Sequence, residues 1–174
     1  MTNKKPNTKI PLSSFLNAFP KVDLPITLTT DLHHTFSQEN KPFSEVMVRQ
    51  YIEPQQGVAD EFTEYIPCFR LPTHKDIHAL IYWKASLLTY EYVLMVLDKK
   101  GHVIEHKGIA GTKAMDQTLV RSVATFKEDG TIYVVGGITD SNDETQYDAS
   151  NSQTILMELL EDGEIVVLNE QKLQ

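Results

Sequence analysis

The sequence has little cysteine, few basic residues and no long apolar run. Cys68 is the single cysteine among 174 residues, which excludes an internal disulfide framework and favours a reducing compartment. The stretch MTNKKPNTKIPLSS lacks the apolar region of a secretion signal. No run approaches the roughly 20 apolar residues that would cross a bilayer. We therefore expect a soluble, cytoplasmic protein that does not bind membranes.

Basic residues are also fewer than acidic residues. Lysine and arginine total 16 against 24 aspartate and glutamate, so the formal net charge is −8. Such a chain repels a phosphate backbone on average, and we expect no nucleic-acid binding. Apolar residues make up 41% and charged residues 23% of the chain, as in ordinary globular domains. The acidic balance favours solubility and suits a basic protein partner.

The N-terminal third has mixed patterning. Residues 1–10 are polar and predict a flexible N-terminus, so that 11–174 form a single domain. Within 11–57 we expect a helix-strand-helix cover. Helical spacing after Ser13 or Ser14 predicts a first helix, and alternation over 22–28 predicts a strand that Pro25 places on an edge. Residues 31–42 read as a loop, and Ser44 is the expected cap of a second helix.

From residue 62 the apolar period becomes two, which is the period of a half-buried strand. Eight short segments show this pattern, at 62–71, 77–85, 89–98, 102–110, 117–127, 131–139, 152–160 and 164–169. Strands joined in sequence by short turns form an antiparallel meander. The predicted fold is therefore mainly β: a meander of about eight strands over 62–169, rolled or closed into a small barrel, with two short N-terminal helices.

Three of the predicted turns share one pattern, in which two charged residues precede a glycine. The glycines are Gly101, Gly130 and Gly163. This pattern suits a hairpin loop that is closed by a glycine in the left-handed region, where a Cβ would clash. Such a turn sets the register of its hairpin. The three turns predict the cross-strand pairs Leu97–Val103, Phe126–Ile132 and Leu159–Ile165.

Residues 117–169 contain LVRSVATFKEDG, TIYVVGG and TILMELLEDGEIVVL. This part of the chain resembles a Kelch-type β-propeller blade, most closely where Gly136 and Gly137 end a strand. The resemblance implies an alternative fold of two propeller-like four-stranded blades. A propeller closes with four or more blades, and the chain has strands for two. The single rolled sheet is therefore the preferred prediction.

In a meander, successive connections between strands alternate between the two ends of the sheet. The connections at 86–88, 111–116 and 140–151 fall together at one end, and the last is the longest. Binding residues usually lie on such loops of a rigid scaffold. We therefore expect the binding residues at this end, together with an aromatic residue of the sheet: Trp83, Lys113, Asp140, Asn142, Asp143, Tyr147 and Asp148.

No pattern indicates a catalytic, metal or cofactor site. His74–His78 and His102–His106 are four residues apart, but on strand sequence that step spans about 13 Å, too far for one metal ion. The acidic residues of 140–151 loosely match a calcium loop but have Thr145 where a calcium hand needs glycine. Cys68 lies in a strand, where it is typical of a small buried apolar residue. We predict no catalytic residue and no cofactor.

Three functional hypotheses remain. The first is a non-enzymatic module that binds a protein partner through the long-loop end. The second is a small-ligand-binding barrel, or an enzyme, with a pocket at that end. The third is a structural protomer that completes a ring or sheet with other copies. Exposed aromatic residues on a flat surface would favour the first, and polar residues converging in a cavity would favour the second.

Overall fold

The computed structural model describes residues 9–140 and 152–172. This part of the chain is mainly β, and its strands join into one antiparallel sheet. The nine strands are β1 Ile26–Leu28, β2 Glu64–Arg70, β3 Ile77–Ala85, β4 Thr89–Asp98, β5 Val103–Met115, β6 Thr118–Phe126, β7 Thr131–Asp140, β8 Gln153–Leu159 and β9 Ile165–Lys172. The helical elements are α1 Leu12–Leu16, α2 Leu32–Glu39 and α3, residues 45–56, which contains a π-helical turn at Val48–Ile52.

Strands β2 to β9 lie side by side in sequence order, which confirms the predicted meander. Because β5 pairs with β6, the strands form one continuous sheet and not two separate blades. The sheet curls strongly: the rings of Phe69 on β2 and Phe126 on β6 are 6.3 Å apart, although three strands separate β2 from β6. It does not close, since its two end strands, β2 and β9, do not pair with each other over their described residues. One hydrogen bond joins β9 to β5, since the Ile165 N–H donates to the Glu105 carboxylate at 3.3 Å.

The hairpin turns are as predicted. Gly101, Gly130 and Gly163 have φ of +88°, +84° and +94°, in the region that a Cβ disfavours. All three predicted register pairs occur: Leu97–Val103, Phe126–Ile132 and Leu159–Ile165. Local turn chemistry therefore sets the alignment of three hairpins.

Strand β5 is longer than predicted. It runs through Met115, so residues 111–116 do not form the predicted loop. A register shift between the β5 partners of Tyr92 and Val93 leaves Ile109 as an extra residue, which is a β-bulge. Just after it, Gly111 has φ +134° and lies so close to β4 that an added Cβ would be 2.7 Å from the Glu91 Cα. The bulge and this glycine let one strand continue where the sequence suggested an end.

The N-terminal segment differs from the prediction in several places, and its strand covers only Ile26–Leu28 of the predicted 22–28. Residues 31–42 contain α2 instead of forming a loop, because Leu32 and Phe36, one helical turn apart, pack against the main core. Helix α1 is preceded by Pro11 and not capped by a serine. The Ser44 cap is confirmed, since its Oγ accepts the Met47 N–H at 3.3 Å.

The sheet packs on both faces at β3 and β4. Their alternate residues enter two apolar cores. In the main core Ile81 and Leu94 pack with residues of β6 to β8. In the second core Leu80 and Met95 pack with Phe15 of α1 and other N-terminal residues. Among the described residues no helix is long and apolar enough to cross a membrane.

Candidate functional site

The predicted binding residues lie in different environments. Trp83 is 2% exposed in the main core, where its ring stacks on His33 at 4.4 Å. Trp83 therefore offers no exposed contact surface, because a large aromatic ring with core neighbours gains more from packing than from exposure. Its exposed aromatic neighbour is Tyr90, 47% accessible, with a ring centroid 6.5 Å from that of Trp83.

The remaining predicted residues divide into two groups. Lys113 is an exposed residue of β5, and Asp140 is the last residue of β7. Asn142, Asp143, Tyr147 and Asp148 lie outside the described residues. The structure thus describes the base of the predicted long-loop end and not the loop itself.

The base of this end carries exposed apolar side chains. Leu87 and Leu88 are 75% and 59% exposed at the tip of the β3–β4 hairpin. Tyr90 follows on β4, and Met115, 51% exposed, lies at the tip of the β5–β6 hairpin. The two tips are neighbours, since the Ala114 N–H donates to the Leu88 carbonyl at 2.9 Å. We call Leu87, Leu88, Tyr90 and Met115 the apolar tip.

The β3–β4 turn does not itself require leucine. It is closed by the Ser86 N–H, which donates to the Thr89 carbonyl at 2.8 Å, so Leu87 and Leu88 occupy its two central positions. Two-residue hairpin loops favour Gly, Asn and Asp there, because those residues accept positive φ or make local hydrogen bonds. Neither leucine has positive φ. The turn geometry and the core therefore leave these two side chains without a structural role.

A cavity of about 330 Å³ lies beside the apolar tip. Its walls come from β4 to β8, including Lys113 of the predicted set and Thr89, which follows the two leucines. Much of the wall is backbone, because Gly108, Gly111, Gly136 and Gly137 line it. The predicted end of the sheet thus combines an exposed apolar surface with a cavity.

Several polar groups elsewhere have structural partners. The buried Tyr82 hydroxyl hydrogen-bonds His106 Nε2 at 2.7 Å and accepts from the Gln56 amide, which connects α3 to β3 and β5. Burial, aided by the charge of Lys84, lowers the pKa of His106. Hydrogen bonds from His102 and Lys100 lower the pKa of Asp98 to about 2. Residues 9–140 and 152–172 contain no cluster of three or more metal-ligating side chains.

Cys68 has the environment expected of a core residue. Its side chain is 1% exposed, and burial raises the pKa of its thiol far above the ordinary value. A nucleophilic cysteine needs the opposite shift. The arrangement around Cys68 therefore offers packing and no activated thiolate.

The apolar tip was missed from the sequence, although a signal was present. The tetrapeptide Ser86–Thr89 reads SLLT, with two leucines where two strands must turn. Apolar residues at such a position contribute little to a core. Comparison of the chain with protein-family models, with curated proteins and with solved structures gave no match.

Proposed function

We propose that this chain is a non-enzymatic protein-binding module that docks its partner on the apolar tip. The observation that supports this most is the exposure of Leu87 and Leu88 at the centre of a two-residue turn. Exposed apolar groups gathered at one place on a surface are typical of interaction sites. Tyr90 and Met115 extend the apolar area, and both are residue types that are enriched in protein interfaces.

The chemistry of the surroundings indicates the kind of partner. Asp116 is exposed at the neighbouring hairpin tip, Asp140 ends β7, and Asp143 and Asp148 belong to the segment that follows β7 in sequence. With a net charge of −8, the chain favours a partner whose apolar pocket has a basic rim. The encounter would take place in the cytoplasm, where a free thiol such as Cys68 stays reduced. Self-association through the same tip is the competing use of this surface.

Site-specific photo-crosslinking tests the proposal. A benzophenone amino acid would replace Leu87 in one variant and Val58 in a control variant, in cells that express the chain. Val58 is a suitable control because it is 88% exposed but lies outside the apolar tip. We expect one protein to be crosslinked from position 87 and not from position 58, and the crosslink to be lost when Leu88 is changed to Ser.

Two results would contradict this proposal. The first is that the same proteins are crosslinked from positions 87 and 58, which would show nonspecific binding by exposed apolar side chains. The second is a crosslink only between copies of this chain, which would show that the tip is a homodimer contact.

A further inference from the structure

We propose that a basic cavity at the β2–β3 turn binds a small phosphate monoester. The cavity has a volume of about 450 Å³ and lies between this turn and residues 21–23, which precede β1. Successive turns of the meander alternate between its ends, so this cavity lies at the end of the sheet opposite the apolar tip. Its lysine, arginine and histidine residues, which we call the basic cluster, are Lys21, Arg70, His74, Lys75 and His78.

The cavity is positively charged in a chain that is acidic overall. Three lysine and arginine residues line it against one carboxylate, Asp23, which leaves an excess of two positive charges when both histidines are neutral. In the whole chain, 16 lysine and arginine residues face 24 acidic ones, so the local balance has the opposite sign. A phosphate monoester carries a charge of about −1.5 to −2 at pH 7, so it matches this excess better than a single carboxylate does.

Arg70 is the cation that gains most from a bound anion. Its side chain is half-buried, and its Nε is buried without a hydrogen-bond partner among the described residues. Its guanidinium also forms no ion pair with a described carboxylate. A cation that has lost part of its hydration without gaining a counter-ion is destabilised, and a bound anion offsets that cost. The planar guanidinium is also the side chain whose donors best match the oxygens of a phosphate group.

Arg70 and His78 project from the same face of the sheet. Arg70 follows Phe69 of the main core and pairs across the strands with Leu80 of the second core. His78 lies two residues before Leu80 on β3, and it is followed by Ala79 of the main core. Because side chains alternate along a strand, both point to the face of the second core. Burial and the charge of Arg70 lower the pKa of His78, as expected for two groups that lie close together.

Backbone pairing brings the lysines of the basic cluster to the same place. The Arg70 N–H donates to the Pro20 carbonyl at 2.8 Å, and Lys21 forms a parallel bridge with Arg70. Bridged residues share a face, so the Lys21 side chain lies beside that of Arg70. Lys75 belongs to the turn, which is held by the Thr73 hydroxyl as it donates to the carbonyl of the first residue of β3 at 2.8 Å. Three cations from separate segments thus meet around one cavity.

Two carboxylates near the basic cluster leave Arg70 without a counter-ion. Asp76 is shared between His74 Nδ1 and Lys99 Nζ, each 3.8 Å away. Asp23 is exposed and forms no ion pair with a described residue. A solvated carboxylate repels a bound anion weakly, because water screens its charge. The half-buried guanidinium therefore determines the sign of the ligand.

Nuclear magnetic resonance with glycerol 3-phosphate as the probe tests this inference. Glycerate, glycerol and inorganic phosphate are the matched monoanion, neutral compound and free ion. We expect glycerol 3-phosphate to shift the amide signals of Arg70, Lys75 and His78, and to bind about tenfold more tightly than glycerate. Glycerol should cause no shift. Inorganic phosphate should bind more weakly than the ester, because it makes no contact with the part of the cavity that the glycerol group occupies.

Three variants test the role of the basic cluster. Arg70→Gln should weaken glycerol 3-phosphate binding about tenfold or more, the loss expected for one hydrogen bond to a charged group. The double variant Lys21→Gln, Lys75→Gln changes only exposed residues, so it keeps the fold, and it should weaken binding about fivefold. Lys113→Gln removes one positive charge as Arg70→Gln does, but at the opposite end of the sheet, and should leave binding unchanged.

The double variant Leu87→Ser, Leu88→Ser should bind glycerol 3-phosphate as the wild type does, which separates this inference from the docking proposal. Unchanged binding by the lysine double variant would overturn the inference, whether or not Arg70→Gln folds. So would an equal loss in Lys113→Gln and Arg70→Gln, since that would be an effect of net charge alone. Equal binding of glycerate or of inorganic phosphate, or shifts that lie away from the basic cluster, would also overturn it.

Discussion

Gly111 is the position where the fold tolerates a side chain least. Its φ of +134° is one that residues with a Cβ rarely adopt, and an added Cβ would overlap the Tyr90 carbonyl oxygen and lie 2.7 Å from the Glu91 Cα. A strained backbone conformation of this kind costs about 1–3 kcal/mol. The overlap with the backbone of β4 adds to this, because the two strands must separate locally. We expect Gly111→Ala to lower the free energy of unfolding by about 3 kcal/mol or more.

Gly130→Ala is the matched control. Gly130 also has positive φ, at +84°, but its added Cβ would meet only the Leu159 carbonyl oxygen at an ordinary 3.5 Å. The left-handed conformation alone costs about 1–2 kcal/mol for a residue with a Cβ. Both variants reduce the entropy of the unfolded chain alike, so this effect cancels in the comparison.

Urea unfolding followed by circular dichroism measures the difference. With a denaturant slope of about 2 kcal/mol per molar, the midpoint should fall by about 0.5–1 M for Gly130→Ala and by about 1.5 M or more for Gly111→Ala. If Gly111→Ala is no more destabilising than Gly130→Ala, the close approach of β4 and β5 after the bulge is refuted.

Three further predictions concern buried and half-buried groups. Tyr82→Phe should destabilise the fold by about 1–3 kcal/mol in urea unfolding, because Gln56 and His106 lose their shared partner, while Tyr133→Phe at an exposed site should have no effect. The lowered pKa of His106 means that the unfolded chain binds the proton more readily, so stability should be full above about pH 6.5 and fall as the pH drops below that value. Thermal melts at pH 7.5 and 5.5 should show this loss, and His106→Gln should reduce it; a melting temperature that rises on acidification would contradict the assignment. Cys68 should resist a thiol reagent in the native state and react on unfolding, and rapid native labelling would show that it is not buried.

The parts of the fold that the sequence predicted are governed by local chemistry. Gly101, Gly130 and Gly163 each set a turn within a few residues, and the strands beside them follow from alternation. Helix α2 escaped prediction because its apolar pair, Leu32 and Phe36, is too sparse to read as a helical face without the core against which it packs. Local patterns thus predict the hairpins well, while the contacts of α2 depend on residues far along the chain.

The site was less predictable than the fold. Trp83 was expected to offer a binding surface and is buried, because which face of a strand is covered depends on distant elements such as His33 of α2. The lining of the cavity comes from five strands, β4 to β8, whose alignment depends on their register, and the bulge at Ile109 shifts that register. Sequence periodicity shows no such shift.

The most direct test of the docking proposal is the affinity of the crosslinked partner for matched variants. The purified partner would be titrated by calorimetry against the wild type, the double variant Leu87→Ser, Leu88→Ser, and the control Val58→Ser. Burying a leucine side chain contributes about 1.5–3 kcal/mol, so we expect the double variant to bind about a hundredfold more weakly or worse. The control should bind as the wild type does. Equal affinity of the wild type and the double variant would contradict the proposal that this chain binds its partner through the apolar tip.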